Sequence, residues 1–456
     1  MRAMKALPTA LVLAAALSAA AAELDFSDAI LFKDDAMAAL TAETLNSWAP
    51  LAGKVRFTFQ GDGKDRALWL GGNRDRQHLD VRAFDFPVYE AQVAFQPNGG
   101  ALAQLELVLF SRGDVVQSGA KGPLAEQIRK AVHDNKSFAG LRDEAKARIV
   151  AAFGQPVDPN PSKTSRVPGH DQRQYRWRTP SGFVLLSVGL TEEKGKKNVF
   201  RGEYIRVAVR PMDAAAAARP LGPQPERNEA KITAGRADLG ANVKREADGL
   251  VYVDNIPMVD QGDKGYCAVA TLERLIRYYG GTASQHELAQ LLNTADGGGT
   301  SFRLDRHGKI DQFVDDKVCH QFGFKQRPVN FDKPDLEKIV KAYNRKAATK
   351  LEYDKKKKMK DSDFDRLLAR ADKATLQEVV ADDGACRRFI PKVKPFIDQG
   401  VPLVWMIPGH IRLLIGYNEK TGEIAYSDTW GKGHELKKMT LAEAFMGTEA
   451  LIAVQP

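Results

Sequence analysis

Long apolar runs are absent from this sequence of 456 residues after its first 22 positions. A membrane-spanning helix needs roughly 18 consecutive apolar residues, so no span is predicted there. Residues 1–22 place Arg2 and Lys5 before an alanine- and leucine-rich run that ends in Ala20-Ala21-Ala22, an A-x-A cleavage pattern. We predict that residues 1–22 are a signal peptide, with an uncleaved anchor as the alternative. The mature protein is then expected to be secreted or periplasmic.

Cysteine is scarce as well. The chain has three cysteines, which are Cys267, Cys319 and Cys386. So few cysteines exclude a fold that depends on a disulfide framework. The odd number leaves at least one thiol unpaired within the molecule, and in an exported chain catalysis is the clearest reason to keep one. Cys319 and Cys386 either form a disulfide or are both reduced and buried, and the sequence leaves both possibilities open.

A strong excess of one charge sign is also missing. The formal net charge is +9, and basic residues are scattered apart from the lysine run at residues 355–358. Such a run usually forms a solvated loop, and no nucleic-acid-binding motif accompanies it. We therefore expect no nucleic-acid partner. No His, Cys and Asp spacing matches a zinc site and no glycine-rich phosphate loop follows a strand, so neither a metal nor a cofactor is predicted.

The length of the chain predicts two domains. Residues 23–212 have the helix and strand patterns of a separate α/β or α+β domain. Residues 213–249 are rich in alanine, proline and charge, which predicts a linker. Residues 250–456 form the second domain. The first domain has no motif that we can connect with chemistry, and it is either an inhibitory pro-segment or a substrate- or envelope-binding module.

In the first domain, apolar periodicity predicts helices and strands. The predicted helices run from Asp34 to Trp48 and from Ser137 to Phe153. The predicted strands are Val55–Phe59, Val88–Phe95, Leu105–Phe110, Phe183–Val188 and Tyr204–Val209. Pro97-Asn98-Gly99-Gly100 predicts a hairpin after the second of them.

In the second domain, helices come first and strands last, which predicts an α+β fold. The predicted helices are Tyr266–Tyr279, a helix that opens at Ser284 with a capping box to Glu287, Asp335–Lys346 and Asp363–Ala371. The predicted strands are Val401–Ile407, Ile411–Tyr417 and Glu423–Tyr426.

Cys267 lies at the start of an amphipathic helix, directly after the loop Gly262-Asp263-Lys264-Gly265. A helix N-terminus presents unpaired N–H groups and a partial positive charge, which favours the thiolate over the thiol. The alternative is a small buried core residue. Gln261, at the other end of the loop, can donate its amide to the oxyanion of a tetrahedral intermediate, together with the Cys267 N–H.

His410 comes just before the strand-like run from Ile411 to Tyr417, and a short turn joins this run to the next. In an antiparallel hairpin, position 410 faces residues 428 to 430, within a register slip of about two residues. Asp428 lies in that window, where a carboxylate can orient the imidazole and stabilise imidazolium. A structural or solvent-exposed histidine is the alternative.

The combination resembles the papain-like cysteine peptidases. It has Gln261, five residues, then Cys267 at a helix start, a distant His410 that opens a strand, and Asp428-Thr429-Trp430-Gly431, which is similar to their Asn-Ser-Trp-Gly. Gln399 to Trp405 followed by Gly409-His410 resembles the bacterial branch that includes the leader-processing peptidases of bacteriocin exporters. The resemblance covers the second domain and implies a papain-like fold with a peptide or protein substrate.

The resemblance also implies roles for individual residues. Cys267 is then the nucleophile, His410 the general base and acid, Asp428 its orienter and Gln261 the oxyanion donor. Trp430 shields the His–Asp pair, and Trp430 and Tyr266 are expected to contact substrate. Two departures leave specificity open: the sequence around Cys267 is Gly-Tyr-Cys-Ala-Val-Ala, not Gly-Ser-Cys-Trp, and no exporter membrane domain is attached.

Several alternatives remain at this point. His320 or His434 can replace His410 as the base. With the same site, the protein can transfer the acyl group to an amine, as a transglutaminase does. It can also be a non-catalytic binding protein that retains the fold. Neither the oligomeric state nor the substrate follows from the sequence.

Overall fold

The computed structural model describes most of the chain. The described residues are 24–26, 40–47, 55–60, 66–70, 81–96, 99–117, 123–161, 170–179, 182–192, 199–211, 239–281, 283–292, 294, 300, 318–319, 321–348, 350–352 and 370–456. The predicted signal peptide, His320 and most of the helix predicted from Asp363 to Ala371 lie outside these ranges.

The N-terminal half, which comprises the described residues from 24 to 211, is built on strands that pair antiparallel except for β1 and β4, which are parallel. Its strands are β1 (Leu24–Asp25), β2 (Thr58–Phe59), β3 (Arg66–Leu70), β4 (Val81–Ala83), β5 (Phe86–Pro87), β6 (Glu90–Phe95), β7 (Leu102–Ser111), β8 (His170–Thr179), β9 (Gly182–Glu192) and β10 (Phe200–Pro211). Its helices are α1 (Arg112–Gln117), α2 (Pro123–His133) and α3 (Asn135–Phe153). The larger sheet has the order β2-β3-β6-β7-β10-β9-β8, and a small sheet joins β1, β4 and β5.

Helix α3 packs on the larger sheet. Asp134 caps the helix by accepting the backbone N–H groups of Lys136 and Ser137. The buried residues of α3 follow helical spacing and are Phe138, Leu141, Ala145 and Ile149. Phe138 meets Phe110 of β7 edge to face, with 5.2 Å between the ring centroids. Burial of this one apolar face is what attaches the helix to the sheet.

The C-terminal half, which comprises the described residues from 239 to 456, has its own antiparallel sheet. Its strands are β11 (Val243–Arg245), β12 (Leu250–Val253), β13 (Lys325–Pro328), β14 (Leu403–Ile407), β15 (His410–Asn418), β16 (Glu423–Ser427), β17 (Lys437–Thr440) and β18 (Ala450–Gln455). Its helices are α4 (Cys267–Tyr278), α5 (Gln285–Leu291), α6 (Leu336–Lys346), α7 (Lys373–Ala381), α8 (Gly384–Arg387), α9 (Phe389–Ile397) and α10 (Leu441–Gly447). The sheet has the order β11-β12-β15-β14-β18-β13, and β16 pairs with β15 and β17.

The predicted α+β fold class is confirmed. The predicted elements that form are α3, α4, α6, β6, β7, β9, β10, β14, β15 and β16, with ends that differ from the predicted ones by a few residues. The predicted hairpin is the antiparallel pair of β6 and β7. The second sheet begins at β11, inside the segment 213–249 that the sequence assigns to a linker.

Two predictions are wrong, each because a partner distant in sequence competes with local structure. In the described part of the helix predicted from Asp34 to Trp48, Thr41 instead bridges to Ala101 and a short 3-10 helix covers Leu45–Ser47. The predicted capping box of α5 is also absent, because Ser284 makes no capping bond. Ser284 and Glu287 both bind the guanidinium of Arg206 in β10 instead.

None of the helices in the described part of the chain combines the length and apolar character that a bilayer crossing requires.

Candidate active site

Cys267 is the first residue of α4 and is half-buried. Helix α4 is buried on nearly all sides and packs against β15, the strand that His410 opens. The helix N-terminus supplies unpaired N–H groups at the sulfur. Packing of α4 against β15 therefore brings the thiol to the beginning of the strand, where the histidine lies.

His410 is positioned by a tight turn. Ile407, the last residue of β14, pairs with His410, the first residue of β15, so that only Pro408 and Gly409 connect the strands. Gly409 has φ +71°, and Pro followed by a glycine with positive φ is the pattern of a type II turn. Since the turn is short and the ladder begins at once, the backbone of His410 has little freedom.

Asp428 follows β16 and meets His410 from the neighbouring strand. The Nε2 atom of His410 lies 2.6 Å from Oδ1 of Asp428. That same oxygen accepts the N–H of Thr429 at 2.8 Å. In the ladder, Leu413 faces Ser427, which agrees with the predicted hairpin register at the end nearest His410. Trp430 is 37 % exposed and stacks on the His410 ring, with 5.7 Å between the centroids.

The other side of the imidazole contacts Cys267. The His410 side chain hydrogen-bonds the sulfur, as does the N–H of Ile411. Because Nε2 is directed at Asp428, Nδ1 is the nitrogen left for the sulfur. Burial raises the pKa of the Cys267 thiol, but these hydrogen bonds and the charge of His410 outweigh burial, and the net pKa lies below its ordinary value.

His410 and Asp428 shift in the directions that favour an ion pair. Burial lowers the pKa of His410, while the hydrogen bonds to Asp428 and Cys267 and their charges raise it, to about 9. Burial raises the pKa of Asp428, and the hydrogen bond and charge of His410 bring it below its ordinary value. The lowered thiol pKa and the raised imidazole pKa both shift the pair towards thiolate and imidazolium.

The loop of residues 261–266, which we call the Gln261 loop, connects the oxyanion candidate to Cys267. Gln261 is 4 % exposed, and its Oε1 accepts the Thr429 hydroxyl at 2.5 Å. Its Nε2 donates to the backbone oxygen of Lys264 at 3.2 Å, and its backbone N–H donates to Thr429 O at 2.9 Å. An amide nitrogen carries two hydrogens, and the bond to Lys264 uses one of them. The amide is therefore held by residues on both sides.

Two arginines that the sequence analysis did not single out hold this arrangement. Arg274 is fully buried on α4 and donates at 2.9 Å to both Pro257 O and Asp428 O. The second of these bonds ties α4 to residues 428–436, which we call the Asp428 loop. Arg412 contacts the rings of both Trp405 and Tyr426, at 4.2 and 4.0 Å from their centroids. Its Nη1 lies 3.9 Å from Asp428 Oδ2. The mostly apolar sequence of β15 gives no signal that position 412 holds a buried cation.

Gly431 is required by a close approach. It has φ +78°, and a side chain there would put Cβ 2.3 Å from Oδ2 of Asp260. Any other residue would push Asp260 away from the Gly262 N–H, to which it bonds at 2.9 Å. This contact fixes the Asp428 loop against the start of the Gln261 loop.

Tyr266 does not belong to this cluster, in contrast to its predicted contact with substrate. It is 6 % exposed, and its ring lies against Gly113 of the N-terminal half and edge-on to His286. The residue before Cys267 thus faces the other half of the molecule.

His434 contacts Asp428 through its backbone oxygen, which accepts the Asp428 N–H at 2.9 Å.

The other two cysteines are buried and are not joined by a disulfide. For Cys386, burial raises the thiol pKa to about 12, which keeps it protonated and unreactive. His286 in α5 is 2 % exposed, and its Nε2 atom lies 3.2 Å from Glu90 Oε2 of the N-terminal half. Within the described ranges, no group of three or more His, Cys, Asp or Glu side chains is placed to hold a metal ion.

Comparison of the chain with protein-family models, with curated proteins and with solved structures finds no match.

Proposed function

We propose that the protein is an exported, papain-like cysteine hydrolase that cleaves peptide or other amide bonds through an acyl-enzyme. The observation that carries the proposal is the hydrogen-bonded chain from the Cys267 sulfur through the His410 ring to Asp428. The thiol and imidazole pKa directions favour the reactive thiolate. Export rests on the first 22 residues of the sequence alone.

In the proposed mechanism the Cys267 thiolate attacks the carbonyl carbon, and the oxygen takes the negative charge. The Cys267 N–H and the amide of Gln261 stabilise that oxyanion. The His410 imidazolium gives its proton to the leaving amine as the C–N bond breaks, which leaves a thioester. Water then attacks the thioester, His410 takes its proton, and the acid product leaves with the thiol regenerated.

The experiment compares five proteins that lack residues 1–22: wild type, Cys267→Ala, His410→Ala, and the control variants Cys386→Ala and His133→Ala. We expect hydrolysis of an internally quenched peptide library to fall by about 10³-fold or more in the first two variants. Cys386→Ala controls for loss of a thiol outside the site and should retain wild-type activity. His133→Ala, an exposed histidine at the end of α2, is the matched control for His410→Ala.

Equal rates in all of these proteins would refute the proposal. Products that carry the mass of an added amine would assign acyl transfer rather than hydrolysis to the same site. A Cys267 thiol with an ordinary pKa, no reaction with epoxide inhibitors and no turnover would instead favour a binding protein.

A further inference from the structure

A cluster of four charged or ionisable side chains lies between the two halves of the molecule. We call it the Lys264 cluster, and its members are Glu90, Asp114, Lys264 and His286. The Nζ atom of Lys264 lies 3.0 Å from Glu90 Oε2 and 2.8 and 2.9 Å from the two Asp114 oxygens. His286 Nε2 contacts the same Glu90 oxygen at 3.2 Å. The carboxylates come from the N-terminal half, and the two basic residues come from the C-terminal half.

Burial makes this pairing obligatory. Lys264 is 1 % exposed and Glu90 is 0 % exposed. A buried charge that loses its partner is strongly destabilising, because neither water nor another ion can replace it. Burial alone would lower the pKa of Lys264, but Asp114 and Glu90 raise it above its ordinary value. The buried Lys264 ammonium is therefore paired with carboxylates that the N-terminal half supplies.

The backbone of the same lysine holds the candidate oxyanion donor. Lys264 O accepts the Gln261 Nε2–H at 3.2 Å and the Tyr266 N–H at 2.7 Å. The side chain of Lys264 is thus anchored in one half of the molecule while its carbonyl positions the Gln261 amide. Only Gly265 and Tyr266 separate Lys264 from Cys267.

A second anchor lies next to the nucleophile. The Tyr266 ring sits against Gly113 in α1, and a Cβ at that glycine would be 2.9 Å from the ring. Asp114, the next residue of α1, is the one that binds Lys264. Two consecutive residues of α1 therefore contact alternate residues of the Gln261 loop.

We propose that Glu90 and Asp114 are positioning residues for the candidate active site. Through Lys264 they fix the Gln261 loop, so that the N-terminal half is a permanent part of the active unit rather than a pro-segment that must be removed. The catalytic part of this inference rests on the proposed function; the anchoring of the loop does not.

The first test is hydrogen exchange of the backbone amides in the full mature chain, followed by mass spectrometry of a peptide covering residues 259–268. Asp114→Asn keeps the shape of the side chain and removes one charge, and we expect exchange in this peptide to become about tenfold faster. The hairpin of β15 and β16 should exchange as in wild type. Glu90→Gln should have the same local effect, which guards against misfolding of one variant.

Glu106→Gln is the matched control. Glu106 is another carboxylate of the N-terminal half, its side chain is 16 % exposed against 17 % for Asp114, and it pairs with the buried Arg206 at 3.1 Å. It does not bind the Gln261 loop. We expect it to leave exchange of the 259–268 peptide within about twofold of wild type while it lowers overall stability by a similar amount.

The second test separates loop position from thiol chemistry. Alkylation by iodoacetamide displaces iodide at a saturated carbon and forms no oxyanion, so it depends on the thiolate alone. In Asp114→Asn we expect Cys267 alkylation within about twofold of wild type and a kcat for peptide hydrolysis that is about 10- to 100-fold lower, with KM little changed.

The outcomes are distinguishable. Wild-type exchange of the loop peptide in Asp114→Asn, or an equal increase in Glu106→Gln, would overturn the anchoring. A normal kcat in a variant whose loop has loosened would overturn the positioning role. A wild-type protein that neither hydrolyses peptides nor has a reactive Cys267 would refute the proposed function, and the exchange measurement would still decide whether the N-terminal half anchors the loop.

Discussion

Two clusters of ionisable side chains meet at one short stretch of the chain, where Lys264 belongs to the first cluster and Cys267, three residues later, belongs to the second. In the Lys264 cluster, the lysine and Glu90 are almost completely buried. In the cluster of Cys267, His410 and Asp428, the thiol is half-buried and the stacked Trp430 is 37 % exposed. The first pairs groups whose charges are fixed, whereas the second pairs a thiol and an imidazole whose proton can move.

From this difference in burial and in proton mobility we infer that the two clusters have different roles. A buried pair of fixed charges specifies geometry, because breaking it costs more than any local rearrangement returns. A partly open pair with a shared proton supplies reactivity. Substitutions in the first cluster should therefore change stability and loop position, and those in the second should change chemistry.

The largest stability effect is expected for Lys264→Met. It leaves the buried Glu90 without its lysine, and the free energy of unfolding should fall by about 3–5 kcal/mol. Urea denaturation measures this change. Lys338→Met is the control, because Lys338 also binds a carboxylate, that of Asp383 at 2.6 Å, but is 63 % exposed. Lys338→Met should lower the free energy of unfolding by less than about 1 kcal/mol. Equal losses of stability in the two variants would contradict the expected difference between buried and exposed ion pairs.

The loss of stability in Arg274→Met is expected to be somewhat smaller than in Lys264→Met. It leaves the buried oxygens of Pro257 and Asp428 without a donor, which should cost about 2–3 kcal/mol of stability. Because Arg274 ties α4 to the Asp428 loop, kcat should also fall. Arg388→Met, which removes an exposed ion pair with Asp332, is the control for stability and activity. A variant with full activity would show that the tie is not needed for the site.

Asp428→Asn changes only the cluster of Cys267, His410 and Asp428. The amide oxygen can still accept from Nε2, so we expect only about a tenfold loss of hydrolysis. Burial lowers the pKa of His410, and the Asp428 carboxylate together with Cys267 raises it, to about 9. Without that charge the His410 pKa falls, and since imidazolium must protonate the leaving amine, the alkaline limb of the pH–rate profile should move to lower pH. An alkaline limb that stays in place would contradict the assigned role of Asp428.

Trp430→Ala is expected to have the smallest effect. Stacking on His410 is worth roughly 0.5–1.5 kcal/mol, which corresponds to a loss of about 2- to 10-fold in kcat/KM. Thermal stability should hardly change, because the ring is partly exposed. A loss of several hundredfold would mean that Trp430 does more than cover the imidazole.

Much of the candidate site follows from local sequence. The periodicity of α4 and the short turn between β15 and β16 are local features. The first places Cys267 at the start of a helix, and the second places Asp428 opposite His410, whereas the approach of Cys267 to His410 is expected only from the resemblance to papain-like peptidases. Their catalytic roles remain predictions. The ladder register could be predicted because the hairpin connection is short, so that little slippage is possible.

The Lys264 cluster could not be predicted in this way. Lys264 and Glu90 are 174 residues apart in the chain, and a lysine between glycines and an aspartate has the pattern of a solvated loop. The capping box was wrongly predicted for the same reason, because Arg206 of the other half donates hydrogen bonds to both Ser284 and Glu287. A contact between the N-terminal and C-terminal halves leaves no periodic pattern in the sequence of either half.

The most direct test of the central claim is the pH dependence of Cys267 alkylation by iodoacetamide, followed at that residue by mass spectrometry in wild type and His410→Ala. We expect the wild-type rate to rise with an apparent pKa below about 8.5, the ordinary value for cysteine. In His410→Ala the hydrogen bond and the charge that lower the Cys267 pKa are lost while burial remains, so the rise should move to higher pH. Identical profiles with an ordinary pKa in both proteins would contradict the assignment of Cys267 and His410 as a catalytic pair.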